Sequence, residues 1–274
     1  MSALISVPTV GRIAANVFKE SVRDKVLYSI VLFAVLIIAA SLLLGQLTAG
    51  QEVKIIKDLG LASISLFGHF IAIFIGIGLV SKEVEQRSVY NLLSKPVNRH
   101  QIVAGKYLGL VLTLAVNVAI MALALFAVLA YMAWRVDPEA QKAWDTTALD
   151  PRLLKAVGLI LIELTVVTAI ALLFSTFSTP IVSAALTFGF VIVGHFSADL
   201  RDFDQVVDSP AAARLARGLY WVLPNLSQLD VKAQVVHGEP VTFGYMALTI
   251  GYGALYVAML LTVAMFVFSR RDFK

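Results

Sequence analysis

Six long apolar runs constrain this chain more than any other feature: Val26–Leu47, Leu59–Val80, Tyr107–Ala133, Ala156–Ser175, Pro180–Ala198 and Phe243–Phe268. A helix needs about 20 apolar residues to cross about 30 Å of hydrocarbon, and each run meets or approaches that length. Glu163 is the one carboxylate inside any of them. Continuous apolar runs fit helices, since barrel strands would alternate in polarity over about ten residues. Of 274 residues, 59% are apolar and 15% charged, against about 45–50% and about 25% in soluble domains. A soluble fold could not bury so many apolar faces. The expected fold is an all-α membrane protein of six transmembrane helices, forming one transmembrane domain over residues 1–274.

The first run follows charged residues, as a signal peptide would, but its 22 residues exceed the usual apolar core of about 7–15. It is expected to remain as an anchor. The chain has no cysteine, which excludes disulfides, thiolate metal sites and cysteine nucleophiles. Its net charge is +4. No basic groove interleaved with aromatic residues accompanies that charge, so nucleic acid is not an expected partner.

Six spans place both termini on one side, together with residues 81–106 and the turn Thr176–Thr179. That side holds 12 Lys/Arg and five Asp/Glu, and the other holds 10 Lys/Arg and 12 Asp/Glu. The cations of the first side lie in short segments beside the membrane, which identifies it as cytoplasmic. The expected location is the inner, cytoplasmic membrane.

Residues 1–25 form an amphipathic segment. Val10, Ile13, Ala14, Val17, Phe18 and Val22 follow helical spacing, with Arg12, Asn16, Lys19 and Arg23 opposite. Such a helix is expected to lie in the interface, its cations towards membrane lipid.

Between the second and third runs, a helix is expected from Lys82 to Leu93, with Glu83 and Arg87 at i, i+4. Pro96 ends it. Asn98 and Gln101 then make a capping-box pattern for a second helix. The expectation is a helix–turn–helix at residues 81–106, joined to two spans and able to transmit the movement of a soluble partner.

This segment resembles the coupling region of ABC type-2 transporter permeases through Glu83, Ser88, Leu92, Leu93, Pro96, Val97, Arg99, Gly105 and Lys106. Many members have Gly where this chain has Arg87. The N-terminal helix looks like the family's connecting helix. The segment Leu223–Asp230 and the tail Phe268–Phe273 are also similar to it. The permease of nitrous oxide reductase maturation transporters is one similar type, and it fixes no cargo here. The resemblance implies a membrane subunit of an exporter, paired with a second permease copy, identical or paralogous. Each copy would rest on a separate nucleotide-binding ATPase subunit that holds ATP and Mg²⁺. Glu83, Arg87, Leu92, Leu93, Pro96 and Arg99 are then the ATPase-coupling residues. The chain has no G-x-x-x-x-G-K-[ST] phosphate loop, so no cofactor and no enzymatic activity are expected in it.

Residues 199–242 would then carry short re-entrant or interfacial helices on the outer face, with Tyr220 and Trp221 suited to the interface. Two alternatives come from other classes. Glu163, some seven residues into its run, is expensive inside a membrane; it reads as a polar contact in the bundle, a water-facing pathway residue, or the substrate or proton site of an ion-coupled carrier or channel. The cluster Asp199, Asp202, Asp204 and Asp208 could hold a divalent ion for a membrane-embedded enzyme, although a solvated loop is the favoured reading. His69 and His195 read as separate histidines bonded to neighbouring helices, and no metal site is assigned from the sequence. Gly60, Gly68, Gly76, Gly78, Gly251 and Gly253 read as packing positions.

Overall fold

The computed structural model describes residues 7–47, 51–85, 99–141, 144, 146–197, 214, 216–218, 220 and 223–270. All regular structure among them is helical. Helix α1, Val7–Ser21, is amphipathic. Helices α2 (Lys25–Gln46), α3 (Glu52–Glu85), α4 (Arg99–Arg135) and α5 (Arg152–Ser175) follow. The 16-residue α6 is Pro180–His195, the short α7 is Lys232–Val236, and α8 is Phe243–Arg270.

Helices α2, α3, α4, α5 and α8 are long and apolar enough to cross a membrane. The fifth expected span corresponds to α6, which is apolar but shorter. At 1.5 Å per residue it covers about 24 Å, less than the hydrocarbon thickness. Its N-terminus suits the proline at its first position, whose missing N–H removes no helical bond there. The four-residue connection from Ser175 to Pro180 makes α5 and α6 antiparallel neighbours.

Helix α5 is the centre of the bundle and packs against α3, α4, α6 and α8. Val166 through Leu172 are all buried, as befits a helix that is apolar all round. Helix α2 instead buries one stripe, Leu27, Val31, Ala34, Ile38, Ser41 and Gly45, while Leu32, Phe33, Leu36 and Leu43 are exposed. Such an outer face suits lipid or a second protein, because hydrocarbon is as apolar as leucine.

Close approaches set the inner contacts. A Cβ on Gly76 would lie 2.7 Å from that of Ala171. One on Gly253 would lie 2.7 Å from Ile162 Cγ2. Gly60 meets Leu125 and Gly68 meets Leu164 still more tightly, whereas Gly78 and Gly251 face open space.

The span helices run further than the apolar runs. Helix α3 continues unbroken to Glu85, so the described part of the expected Lys82–Leu93 helix is an extension of α3. Helix α4 starts at Arg99, where the capping pattern put a helix start, and runs through Arg135 without a break. The amphipathic α1 lies along α4, with Val10 and Val17 buried and Arg12 and Lys19 exposed.

On the opposite side, residues 223–241 fold back onto the bundle. Leu226–Leu229 form a 3-10 turn whose two leucines are buried against α5 and α6. Helix α7 packs on α3 and α5. Tyr245 Oη donates to Gln228 O at 2.6 Å, and the Asn225 N–H donates to Tyr252 Oη at 2.8 Å, tying this segment to α8.

Candidate functional site

Glu163 is the twelfth of the 24 residues of α5, midway along the helix rather than near its start, because α5 begins at Arg152. It has no exposed surface. From either helix end it is about 17–18 Å distant along the axis. A carboxylate so placed needs partners.

Two histidines supply them. His69 Nε2 and His195 Nε2 each lie 3.0 Å from Glu163 Oε1. His69 comes from the middle of α3, and His195 is the last residue of α6. The close contact of Gly68 with Leu164 brings α3 and α5 together at this level. The shortness of α6 puts its terminal histidine inside the bundle instead of at the far surface. His69 is 10% exposed in its side chain and His195 is 29% exposed, so the cluster opens on the His195 side.

Each histidine is oriented by its other ring nitrogen. His69 Nδ1 is 2.7 Å from Ser65 O, and His195 Nδ1 is 2.9 Å from Val191 O. A backbone carbonyl only accepts, so both Nδ1 atoms carry hydrogen. Both Nε2 atoms are then turned towards one carboxylate oxygen with either a lone pair or a second proton. Two lone pairs facing a carboxylate would repel it, and a proton on Glu163 could serve only one of them. Positive charge must sit between the three groups. Glu163 Oε2 is buried with no hydrogen-bond partner, so the carboxylate has unused acceptor capacity.

The surroundings extend this polar core by one turn. Lys232 Nζ, on α7, donates to Ser65 Oγ at 3.0 Å and pairs with Asp230 Oδ2 at 3.1 Å. Tyr107 Oη, on α4, donates to Thr165 O at 3.1 Å. Helices α3, α4, α5 and α6 and the folded-back segment thus converge on the region of Glu163.

A second buried charge was not singled out by the sequence. Lys57, in the second turn of α3, has no exposed surface; its Nζ donates to Thr146 Oγ1 at 3.0 Å and to Thr147 O at 2.7 Å. Nearby, Thr146, Asp150, Arg152, Lys155, His237 and Gly238 line a polar cavity of about 530 Å³. Arg152 Nη1 donates to Gly238 O and Lys155 Nζ donates to Val241 O, which fixes the loop ahead of α8.

Of the sequence-derived coupling residues, Glu83 falls in the last turn of α3 and Arg99 is the first residue of α4. Arg87, Leu92, Leu93 and Pro96 lie outside the described residues, as do Asp199, Asp202, Asp204, Asp208 and Trp221. Glu163 is brought together with His69 and His195, which the sequence had presented as separate histidines. The missed signal is chemical: three ionisable residues sit in apolar runs, where each needs a partner, and each is the natural partner of the others.

The bundle of long apolar helices, with an amphipathic helix at one side and a folded-back segment at the other, defines a multi-pass α-helical membrane protein. A family model described as ABC-2 family transporter protein matches residues 12–273. The chain belongs to that family, and is therefore a membrane permease of an ABC transporter, a class that works with an ATPase subunit. No curated protein matches it significantly.

Proposed function

We propose that this chain is the transmembrane subunit of an exporter, that its ATPase is a separate polypeptide, and that two permease copies form the pathway. The observation that carries the coupling part is the continuity of α3 to Glu85 and of α4 from Arg99. The segment 81–106 is thereby attached at both ends to helices that run through the bundle. A force applied there reaches α3, and α3 carries His69 and packs on α5 and α6. ATP-driven closure of the two ATPase subunits would move the segment, with Glu83, Arg87, Leu92, Leu93, Pro96 and Arg99 in contact with them. ATP and Mg²⁺ belong to those subunits. Both termini are cytoplasmic in this reading, and residues 223–241 lie on the outer side.

Affinity purification of the tagged protein from its native membrane in mild detergent, with mass spectrometry of its companions, tests the subunit assignment. The expected companion is a near-stoichiometric soluble ATPase with a phosphate loop. Its reproducible absence from intact, monodisperse protein would overturn the separate-ATPase reading. In the purified complex, Glu83→Arg should abolish the response of ATP hydrolysis to the permease while assembly in the membrane persists. Unchanged ATP hydrolysis and transport in that variant would remove residues 81–106 from the coupling role.

A further inference from the structure

We propose that His69, Glu163 and His195 form a binding site for a divalent first-row transition-metal ion of the imidazole-preferring class, such as Zn²⁺, inside the membrane bundle. The ligand atoms of the three residues lie within 4.8 Å of one another. Two imidazole nitrogens and a carboxylate oxygen are a donor set suited to such ions, and they leave further coordination positions open.

Three observations carry the site beyond a polar contact. First, both histidines donate through Nδ1 to the carbonyl four residues earlier, Ser65 O and Val191 O. A metal-binding histidine characteristically gives its other N–H to a carbonyl or carboxylate, which fixes the ring and aims the free nitrogen at the ion. Second, the free nitrogens converge on the same atom, Glu163 Oε1, at 3.0 Å each. Tetrahedral bonds of about 2.0–2.1 Å would hold ligand atoms about 3.3 Å apart; each Nε2–Oε1 separation is within a few tenths of an ångström of that, and all three ligand atoms lie within 4.8 Å of one another. Third, Glu163 Oε2 is buried without a hydrogen-bond partner. An ion that draws on either carboxylate oxygen gives that group a use which the two histidines alone do not.

The ligands come from α3, α5 and α6, so one ion joins three helices. It also fixes the end of α6, the apolar helix that stops short of a full crossing. His195 is the most exposed of the three and marks the side from which the ion and an exchangeable fourth ligand enter. Lys232 holds Ser65 Oγ one turn from His69 and is paired with Asp230. Its ammonium is thus partly neutralised beside a site that binds a cation.

The test uses the full-length protein, carrying a tag without histidine, purified in detergent and stripped with a chelator. Co²⁺ is added in excess, unbound ion is removed by gel filtration, and the retained metal is measured by mass spectrometry and visible absorption. About one Co²⁺ per chain is expected, with the intense absorption of a low-coordinate N/O site. Glu163→Gln preserves shape and should weaken retention by at least about 10–100-fold, the range seen even for outer-shell changes. His69→Ala with His195→Ala should abolish retention, and His237→Ala, on an exposed histidine outside the cluster, should leave it unchanged. X-ray absorption of the Zn²⁺-loaded wild type should show two imidazole ligands, a readout that needs no variant to fold. No retained ion in the wild type, equal retention in a monodisperse Glu163→Gln protein, or a metal spectrum without imidazole would overturn the site and leave protons as the positive charge between the three groups.

Discussion

A lysine with no exposed surface must place its ammonium against acceptors, and Lys57 does so on Thr146 Oγ1 and Thr147 O. Lys57→Met keeps most of the side-chain stem and removes the donor from Thr146 Oγ1 and Thr147 O. The expected loss is about 1.5–3 kcal/mol, the worth of hydrogen bonding by a charged group, seen as a lower thermal midpoint in detergent. An unchanged midpoint would show that this loop is held by Arg152 and Lys155 instead. Hydropathy cannot foresee the arrangement. Lys54, Lys57 and Asp58 read as loop before the apolar run at Leu59, yet α3 begins at Glu52. Helical backbone carries these charges because the fold supplies Lys57 with acceptors from a loop remote in sequence. The cluster at Glu163 is similar: Glu163 was visible as costly inside an apolar run and the two histidines as bonded to neighbouring helices, but only the packing of α3, α5 and α6 reveals that the three are one another's partners.

At the scale of helices, α1 depends on two glycines of α4. A Cβ at Gly105 would lie 2.7 Å from Ile13 Cβ, and one at Gly109 would lie 2.6 Å from Ala14 O. The second clash is with backbone, which no side-chain rotation relieves. The spacing Gly-x-x-x-Gly lets the two helices approach closely, and α1 then buries Val10 and Val17. Gly109→Leu should lift α1 away from α4. Because the chain has no cysteine, a single Val17→Cys reports this directly: a water-soluble maleimide should react slowly with it in the wild-type background and several-fold faster with Gly109→Leu added. Equal rates would mean that α1 is held by the interface alone. Gly11→Ala, with nothing within 4 Å of the added carbon, is the silent control. The amphipathic pattern of α1 announced its apolar face, but not that α4 rather than lipid receives much of it. Likewise the apolar run from Pro180 extends to Ala198, whereas α6 stops at His195. The limit is set by the returning segment: beside Gly194, a Cβ would meet Leu226 at 3.0 Å and Pro224 O at 3.1 Å.

For the molecule as a whole, the proposed function puts one face in the cytoplasm, and two features support that reading. In sequence, the cations of residues 1–25, 81–106 and 269–274 are concentrated in short segments flanking the apolar runs, as in cytoplasmic loops. The other side holds the cavity between Thr146 and Gly238, Lys57 with its threonines, and the folded-back segment 223–241. That segment is buried through Leu226, Leu229, Val231 and Val235, so it covers the end of α5 and α6 opposite the coupling segment. Such a cover suits an outer gate, since the ATPase needs access only to the inner face. In intact cells, a membrane-impermeant maleimide should therefore label Glu239→Cys, while Lys19→Cys should react only after the membrane is opened. The reverse pattern would invert the topology and place residues 81–106 out of reach of a cytoplasmic ATPase. Labelling of both positions from outside would require an even number of crossings between them, and would mean that α6 with the segment after it does not complete a fifth passage.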